Sequence, residues 1–183
     1  MNCKLYPLIC SLFALSANAE IKLPELISDN MVLQQQTNVT LWGEASPDSK
    51  VTISPSWTES VTTTTADSNG FWKTTVATPE AGFTPYSITI SDGKPVSVNN
   101  VLIGEVWFCS GQSNMEMPLN GFWNCPIDDA NNVIADAPNH PAIRMATIEK
   151  KKALTPQKYA KGSWKCPTTE NAQWFSATAY HYA

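Results

Sequence analysis

The sequence is poor in histidine and has no concentrated positive charge. Only two histidines, His140 and His181, occur among 183 residues, and 12 Lys and Arg are outnumbered by 16 Asp and Glu, for a net charge of -4. Binding to nucleic acid needs lysine and arginine clustered on one face. The single basic run, at residues 150–152, is typical of a solvated loop. These shortages argue against a nucleic-acid partner.

Motifs for metals, phosphates and cofactors are also missing, so we predict no metal and no cofactor. After residue 19, no apolar run is long enough to cross a bilayer. Residues 1–19 combine Lys4, a short apolar core and an Ala-x-Ala ending at Ala19. This pattern predicts a secretory signal peptide and a secreted or periplasmic protein. The alternative is a buried N-terminal strand or an uncleaved anchor.

Residues 20–100 have the texture of an all-β domain. Short alternating runs are separated by turn signals such as Asp67-Ser68-Asn69-Gly70, about once every ten residues, which predicts a β-sandwich. Trp42, Phe71 and Trp72 are interpreted as packing aromatics rather than as a platform for sugar. The predicted strands cover residues 38–43, 50–54, 61–65, 71–76 and 86–90.

Residues 101–109 form an apolar run that ends at a polar turn. The run is rich in β-branched and aromatic residues and predicts a strand buried on both faces, inside a parallel sheet. Gly111 permits a tight turn at the carboxyl end of that strand, where open α/β sheets place their ligands. Ser113 would lie on this turn with its hydroxyl exposed and with backbone N–H groups available to an oxyanion.

The residues around Ser113 resemble a known nucleophile block. Residues 104–118 read Gly-Glu-Val-Trp-Phe-Cys-Ser-Gly-Gln-Ser-Asn-Met-Glu-Met-Pro. This string resembles the sialate O-acetylesterase family of SGNH-like (GDSL-like) carbohydrate esterases. The resemblance implies Ser113 as the nucleophile, its N–H as an oxyanion donor, and Gln112 and Asn114 as residues that shape the acyl pocket. It implies an O-acetylated sugar as substrate, either sialic acid or a plant or host glycan.

The residues after the serine continue an α/β pattern. Residues 126–137 predict a helix and residues 142–148 predict the next strand, which together would make a βαβ unit. Asp128 and Asp129 are interpreted as acids at the helix start rather than as metal ligands. A further helix is predicted to begin near Trp174.

The predicted fold is therefore a β-sandwich domain followed by an incomplete α/β domain at residues 101–183, SGNH-hydrolase-like with a flavodoxin-like parallel sheet. Two parallel strands cannot bury a doubly wound core, so we expect a truncated chain. In the resembled family, an oxyanion-hole glycine and asparagine and an Asp-x-x-His block would follow residue 183. His140 is expected in a solvated loop and His181 in packing or at the surface. Without a base, the chain alone is predicted to be inactive.

Two further alternatives stay open at this point. The chain could be a non-catalytic module whose β-sandwich binds glycan or a partner, with the serine block as a remnant. Of the cysteines that follow residue 19, Cys109 is expected to be buried at the end of its strand. A Cys125–Cys166 disulfide is hypothesised for an oxidising compartment, with three free thiols as the alternative. Glu116 lies near Ser113 in sequence, but a role as base depends on geometry.

Overall fold

The computed structural model describes residues 20–183, so the predicted signal peptide at residues 1–19 lies outside the described residues. Residues 20–183 form a mixed, curled arrangement of strands with few and short helices. The strands are β1 (Val32–Gln34), β2 (Asn38–Glu44), β3 (Lys50–Pro55), β4 (Thr62–Thr65), β5 (Phe71–Ala77), β6 (Gly82–Ser91), β7 (Pro95–Gly104), β8 (Met145–Ile148) and β9 (Gly162–Lys165). The helices are α1 (Ser113–Glu116), α2 (Ala130–Asp136), α3 (Thr169–Ala172) and α4 (Ala177–Tyr182), with a 3-10 turn at Ala137–Asn139 after α2.

Two sheets make up the first part of the chain. Five strands pair in the order β1-β7-β6-β3-β4, with β1 parallel to β7 and the other neighbours antiparallel. The second sheet is the antiparallel pair β2-β5, in which Asn38 lies opposite Ala77 and Glu44 lies opposite Phe71. The five strands predicted between residues 38 and 90 are all present.

One hydrophobic cluster joins the inner faces of these two sheets. Burial alternates along β3 and along the second halves of β2 and β6, as a half-buried strand requires. Val51 and Ile53 of β3 are completely buried, and Trp72 of β5 is 1% exposed. Trp72 is thus a core residue, as predicted. Trp42 and Phe71 lie at the edge and contact the later polar loop: the Trp42 Nε1–H donates to the Lys158 carbonyl at 3.3 Å, and the Lys158 ammonium lies 4.3 Å from the Phe71 ring centroid.

A smaller hydrophobic cluster lies in the second part of the chain. Its buried members come from the loop after α1, the turn after α2, β8, α3 and α4: Leu119, Ala137, Met145, Ala172, Ala177 and Tyr180. The helix predicted at residues 126–137 is shorter than expected, because α2 begins only at Ala130. Asp129 precedes it in a left-handed conformation and makes no capping bond. Its carboxylate instead accepts from Asn132 Nδ2 at 2.6 Å.

The strand predicted at residues 106–109 is wrong. Residues 105–111 are in no strand or helix, and Trp107 and Phe108 are 56% and 87% exposed. A strand persists only with a hydrogen-bonded neighbour, and no residue in the described part of the chain pairs with this run. The apolar run divides instead: residues 101–104 complete β7, which continues across the predicted domain boundary at residues 100 and 101.

The predicted βαβ unit is also absent from residues 20–183. β8 begins at Met145 rather than at residue 142, and it pairs with β9 in antiparallel fashion, Met145 opposite Lys165. The long polar loop that follows β8 therefore returns along the same strand edge. Within the described ranges, β1 and β7 are the one parallel pair.

All three described cysteines are free thiols, so the hypothesised Cys125–Cys166 bridge is not formed. Cys109, expected to be buried, is exposed because the strand that would have buried it does not form. Cys125 is exposed, as expected for a loop residue. Cys166 is partly buried, with its sulfur 3.5 Å from the Asn30 side-chain oxygen.

Candidate functional site: the serine segment

Ser113 lies at the first position of α1, at the centre of what we call the serine segment, residues 110–118. The tight turn predicted directly after a strand is not formed. Residues 110 and 111 are in no turn, strand or helix, and Gln112 lies at a bend and occupies the N-cap position. Ser113 itself is helical and follows the end of β7 by nine residues. The Gln112 carbonyl accepts hydrogen bonds from the N–H groups of Met115 at 2.9 Å and Glu116 at 3.0 Å. One helical turn thus holds Ser113 at its start, with the side chain exposed to solvent.

The N–H groups of Ser113 and Asn114 point away from the helical ladder. The first N–H groups of a helix have no intrahelical acceptor. Among residues 20–183, no carbonyl or side-chain oxygen accepts from either of these two groups. They remain available as donors to an oxygen atom placed beside the Ser113 hydroxyl.

A second stretch of chain, residues 173–178, braces the serine segment, and we call it the bracing segment. Thr178 donates its hydroxyl to the Asn114 carbonyl at 3.2 Å, and the Ala177 N–H donates to the Met117 carbonyl at 2.8 Å. The Ser176 hydroxyl lies 3.3 Å from the sulfur of Met115. Ser176 also caps α4 by accepting from the Ala179 N–H.

The same bracing continues past α1. The N–H of Leu119 donates to the Phe175 carbonyl at 2.9 Å, and that of Asn120 donates to the Gln173 carbonyl at 3.0 Å. Leu119 is completely buried in the smaller hydrophobic cluster. Backbone pairing and this buried leucine therefore attach the serine segment firmly to the body of the protein.

On the other side, Glu105 ties the approach to the serine segment to the larger sheet. Its two carboxylate oxygens accept from the side-chain amides of Gln34 at 2.9 Å and Gln35 at 2.6 Å. These bonds, first that from Gln34 and then that from Gln35, lower the pKa of Glu105. The Val106 N–H donates to Gln34 Oε1 at 2.9 Å. Farther along, the rings of Trp107 and Tyr182 meet edge to face, with centroids 5.0 Å apart.

Neither histidine nor Glu116 contacts the Ser113 hydroxyl, which has no hydrogen-bond partner in the part of the chain that the structure describes. The Glu116 carboxylate pairs with the ammonium of Lys150. His140 is exposed and lies 2.7 Å from Asp136, and hydrogen bonds from Asn139 and then from His140 lower the pKa of Asp136. His181 is exposed on α4. The expectations that His140 lies in a solvated loop and that His181 lies in packing or at the surface agree with this exposure.

The other predicted pocket residues, Gln112 and Asn114, flank Ser113 and are exposed. Neither side chain makes a hydrogen bond within residues 20–183, so both amides are available to a ligand. Their role in shaping an acyl pocket stays a prediction.

No group of three or more His, Cys, Asp or Glu side chains among residues 20–183 could hold a metal ion. Among the described residues, no helix combines the length and the apolar character needed to cross a membrane.

The chain is similar to known carbohydrate esterases. Curated sialate O-acetylesterases from Mus musculus and Homo sapiens are 26% and 25% identical to the chain over 178 and 167 residues, covering 90% and 85% of it. The crystal structure of a carbohydrate acetylesterase from Xanthomonas citri superposes with a TM-score of 0.81 at 33% identity, over 90% of the chain. The chain is sialate O-acetylesterase-like. No protein-family model matches it.

The similarity covers only part of each relative. The sialate O-acetylesterase-like chain spans about a third of their length: 32% of the mouse protein, 31% of the human protein and 36% of the Xanthomonas citri structure. About two thirds of each relative therefore lies outside the similarity.

The sequence predicted Ser113 as the nucleophile but did not indicate which residues hold it in place. Thr178 and Ser176 contact the serine segment from more than 60 residues away, and Lys150, assigned to a solvated loop, pairs with Glu116. The one available signal was the Phe-Ser-Ala-x-Ala-Tyr string at residues 175–180, which is similar to the family's sequence. It predicted a helix in this sialate O-acetylesterase-like chain but did not say what that helix contacts.

Proposed function

We propose that this chain supplies the nucleophile of a serine carbohydrate O-acetylesterase. One observation carries the proposal: Ser113 is exposed at the start of a helical turn, beside two N–H groups that have no acceptor in the described residues. An acyl-transfer site needs this combination of a nucleophile and preorganised donors for the oxyanion. The acetylesterase names of the relatives support an acetyl ester as the group attacked.

In the proposed reaction, the Ser113 hydroxyl oxygen attacks the carbonyl carbon of the acetyl ester. The hydroxyl proton passes to a base, and the carbonyl oxygen takes the negative charge, which the N–H groups of Ser113 and Asn114 stabilise. The tetrahedral intermediate then collapses. The sugar oxygen leaves with a proton, and the acetyl group stays on Ser113 until water releases it as acetate.

The substrate we propose is an O-acetylated sugar, either a sialic acid or a plant or host glycan. Gln112 and Asn114 would contact the acetyl group, since their free amides flank the nucleophile. The fold we propose is a β-sandwich at residues 20–100 and part of an SGNH-like α/β domain at residues 101–183, with β7 shared between them. A signal peptide at residues 1–19 would direct the protein to the periplasm or the exterior.

A serine hydroxyl is a weak nucleophile without a base in hydrogen-bond reach. No carboxylate or imidazole among residues 20–183 hydrogen-bonds to Ser113. We therefore propose that residues 20–183 alone do not turn over substrate. A small base in solution can take the place of the missing general base, and this substitution can be measured.

The experiment is chemical rescue with imidazole. The 183-residue chain and its Ser113→Ala variant are incubated with 4-nitrophenyl acetate and increasing imidazole, and acetylation of the peptide that contains residue 113 is measured by mass spectrometry. We expect acetyl-Ser113 to form faster as imidazole increases, because imidazole accepts the hydroxyl proton that no side chain among residues 20–183 is placed to accept. Ser110→Ala, which changes a neighbouring exposed serine, is the matched control and should be acetylated at Ser113 like the parent chain.

Two results would contradict the proposal. Absence of acetyl-Ser113 at every imidazole concentration would show that the residue is not a nucleophile. Serine-dependent turnover without imidazole would show that the chain carries its own base, and substitution of His140 and His181 would then identify it.

A further inference from the structure

A surface depression lies beside the serine segment and has no assigned role. Its volume is about 380 Å³, within the range of small-molecule sites. We call it the Asn-rich depression, because the polar residues of its lining are Asn120, Asp129, Asn131 and Asn132. Asn132 bonds to Asp129, whereas the amides of Asn120 and Asn131 make no side-chain hydrogen bond within the described part of the chain. Each free amide offers donors and an acceptor.

A tight hairpin, residues 121–125, stands at the edge of this depression. The chain leaves the lining at Asn120 and re-enters it at Pro126. Phe122 and Cys125 exchange two backbone hydrogen bonds of 3.0 Å each. At the base of the hairpin, Gly121 has a φ of 70°, and a Cβ there would lie 2.7 Å from the Cys125 carbonyl oxygen. The hairpin is therefore closely packed at its base.

The hairpin presents Trp123 at its tip, with 97% of the residue exposed. A side chain of this size is rarely left in water without a partner, because tryptophan buries a large area when it packs. The indole offers a flat apolar face on a closely packed support, no more than three residues from either end of the depression's lining.

The chemistry of these groups selects a ligand with hydroxyls and an apolar face. A pyranose ring fits, because its hydroxyls both donate and accept hydrogen bonds, as amides do, and its C–H face stacks on an aromatic ring. The Asp129 carboxylate and the chain's net charge of -4 disfavour a phosphate or carboxylate ligand. The polar lining disfavours an aliphatic ligand.

The bracing segment places this depression relative to Ser113. Thr178 contacts Asn114 next to the nucleophile, and Gln173 contacts Asn120 at the depression. We propose that the Asn-rich depression and Trp123 bind a neutral pyranose unit of an oligosaccharide, at a distance from the unit whose acetyl group faces Ser113. The inference rests on the proposed function for its substrate class, and it makes that substrate an oligosaccharide rather than a free acidic monosaccharide.

The test is direct binding to the full chain carrying Ser113→Ala, which removes the proposed chemistry. Isothermal titration calorimetry is done with xylotetraose, mannotetraose and lactose as neutral probes, and with N-acetylneuraminic acid as an acidic monosaccharide. We expect at least one neutral probe to bind more tightly than N-acetylneuraminic acid. Trp123→Ala should weaken its binding about tenfold, as truncation of a central aromatic contact does. Asn131→Ala should also weaken it, and Trp123→Phe should retain part of the affinity.

Phe83→Ala is the matched control, because Phe83 is an aromatic residue of β6 that is 86% exposed and lies in the sheet region. It should bind like the parent chain. The inference is overturned if none of the three neutral probes binds, if the acidic monosaccharide binds most tightly, or if Trp123→Ala and Asn131→Ala both bind unchanged. Acetylation of Ser113 is measured separately, so failure of the sugar site and failure of the nucleophile give different results.

Discussion

The two hydrophobic clusters of this protein differ in size and in the way they are built. The larger cluster has 14 buried residues, drawn mainly from strands of the two sheets, including β6 and β7 of ten residues each. The smaller has six, drawn from elements of three to six residues and the loop after α1. Buried apolar area is the main favourable term in folding, so the sheet region holds most of the stabilising contacts.

Exposure shows the same difference from the outside. In the sheet region, Phe83 and Val61 are the exposed large hydrophobic residues, whereas residues 105–183 expose Val106, Trp107, Phe108, Phe122, Trp123, Ile148, Leu154, Tyr159, Trp174 and Tyr182. Apolar surface that is not buried contributes little to folding and much to recognition. The sheet region therefore provides most of the stability, and residues 105–183 provide most of the apolar surface that can bind a ligand or partner.

The largest expected effect comes from truncating a core residue in each cluster. Trp72→Ala should lower the free energy of unfolding by about 3–5 kcal/mol, whereas Leu119→Ala should lower it by about 2–3 kcal/mol, because fewer neighbours surround the cavity in the smaller cluster. Urea unfolding followed by circular dichroism measures both values. Val61→Ala, at a residue 57% exposed, is the control and should change the free energy by less than about 0.5 kcal/mol.

Hydrogen exchange sharpens this comparison. Leu119→Ala should speed exchange of the amide protons that join the serine and bracing segments, including those of Leu119 and Ala177, and leave the amides of β3 and β6 protected. If Leu119→Ala instead exposed both regions equally, the two clusters would unfold as one unit, and the distinction drawn between them would fail.

An intermediate effect is expected at the hairpin that carries Trp123. Gly121→Ala places a side chain at positive φ and against the Cys125 carbonyl, so it should destabilise the hairpin by about 1–3 kcal/mol. Gly82→Ala is the matched control, because a Cβ there meets nothing within 4 Å. Faster amide exchange at Cys125 in the first variant and unchanged exchange in the second is the expected result. Equal exchange in both variants would contradict the account of a closely packed base.

The smallest effect concerns Glu105, which joins the two regions. Its pKa is lowered in the folded protein, so its bonds to Gln34 and Gln35 contribute stability above the ordinary pKa of 4.5, and this contribution is lost as pH falls through the lowered value. Glu105→Gln should slightly reduce the melting temperature at pH 7 and make its dependence on pH below about 5 less steep. Thermal melts between pH 3 and 7 measure this, where Glu59→Gln, at an exposed residue, should keep the parent slope. An unchanged slope in Glu105→Gln would show that the hydrogen bonds from Gln34 and Gln35 to Glu105 contribute no pH-dependent stability.

The sheet region was largely predictable, because the period of two in residues 38–90 reports directly which side chains face the core. Residues 95–100 of β7 were missed, since only Val96 and Val98 alternate there before the two asparagines. The failure at residues 106–109 has a different cause. Composition favours a strand there, but a strand also requires a pairing neighbour, and no property of the run itself supplies one.

At the candidate site, the motif predicted that Ser113 is exposed, and it is, but the expected turn directly after a strand is replaced by an irregular segment and one helical turn. The contacts of Thr178 with Asn114 and of Lys150 with Glu116 join residues 64 and 34 positions apart. The strands and helices of residues 105–183 are short, so their sequence patterns do not predict which distant residues come into contact. The Asn-rich depression was missed for the same reason, since Asn120 and Asn131 come together only when the hairpin closes between them.

The bracing segment contacts both the serine segment and the lining of the Asn-rich depression. It touches the chain beside Ser113 through Thr178 and beside the Asn-rich depression through Gln173, five residues apart, a span of at most about 18 Å. A single stretch of backbone therefore limits the separation between Ser113 and the Asn-rich depression. If Ser113 and the Asn-rich depression both work as proposed, the length of the bracing segment, rather than the shape of the acyl pocket, decides which sugar along a glycan loses its acetyl group.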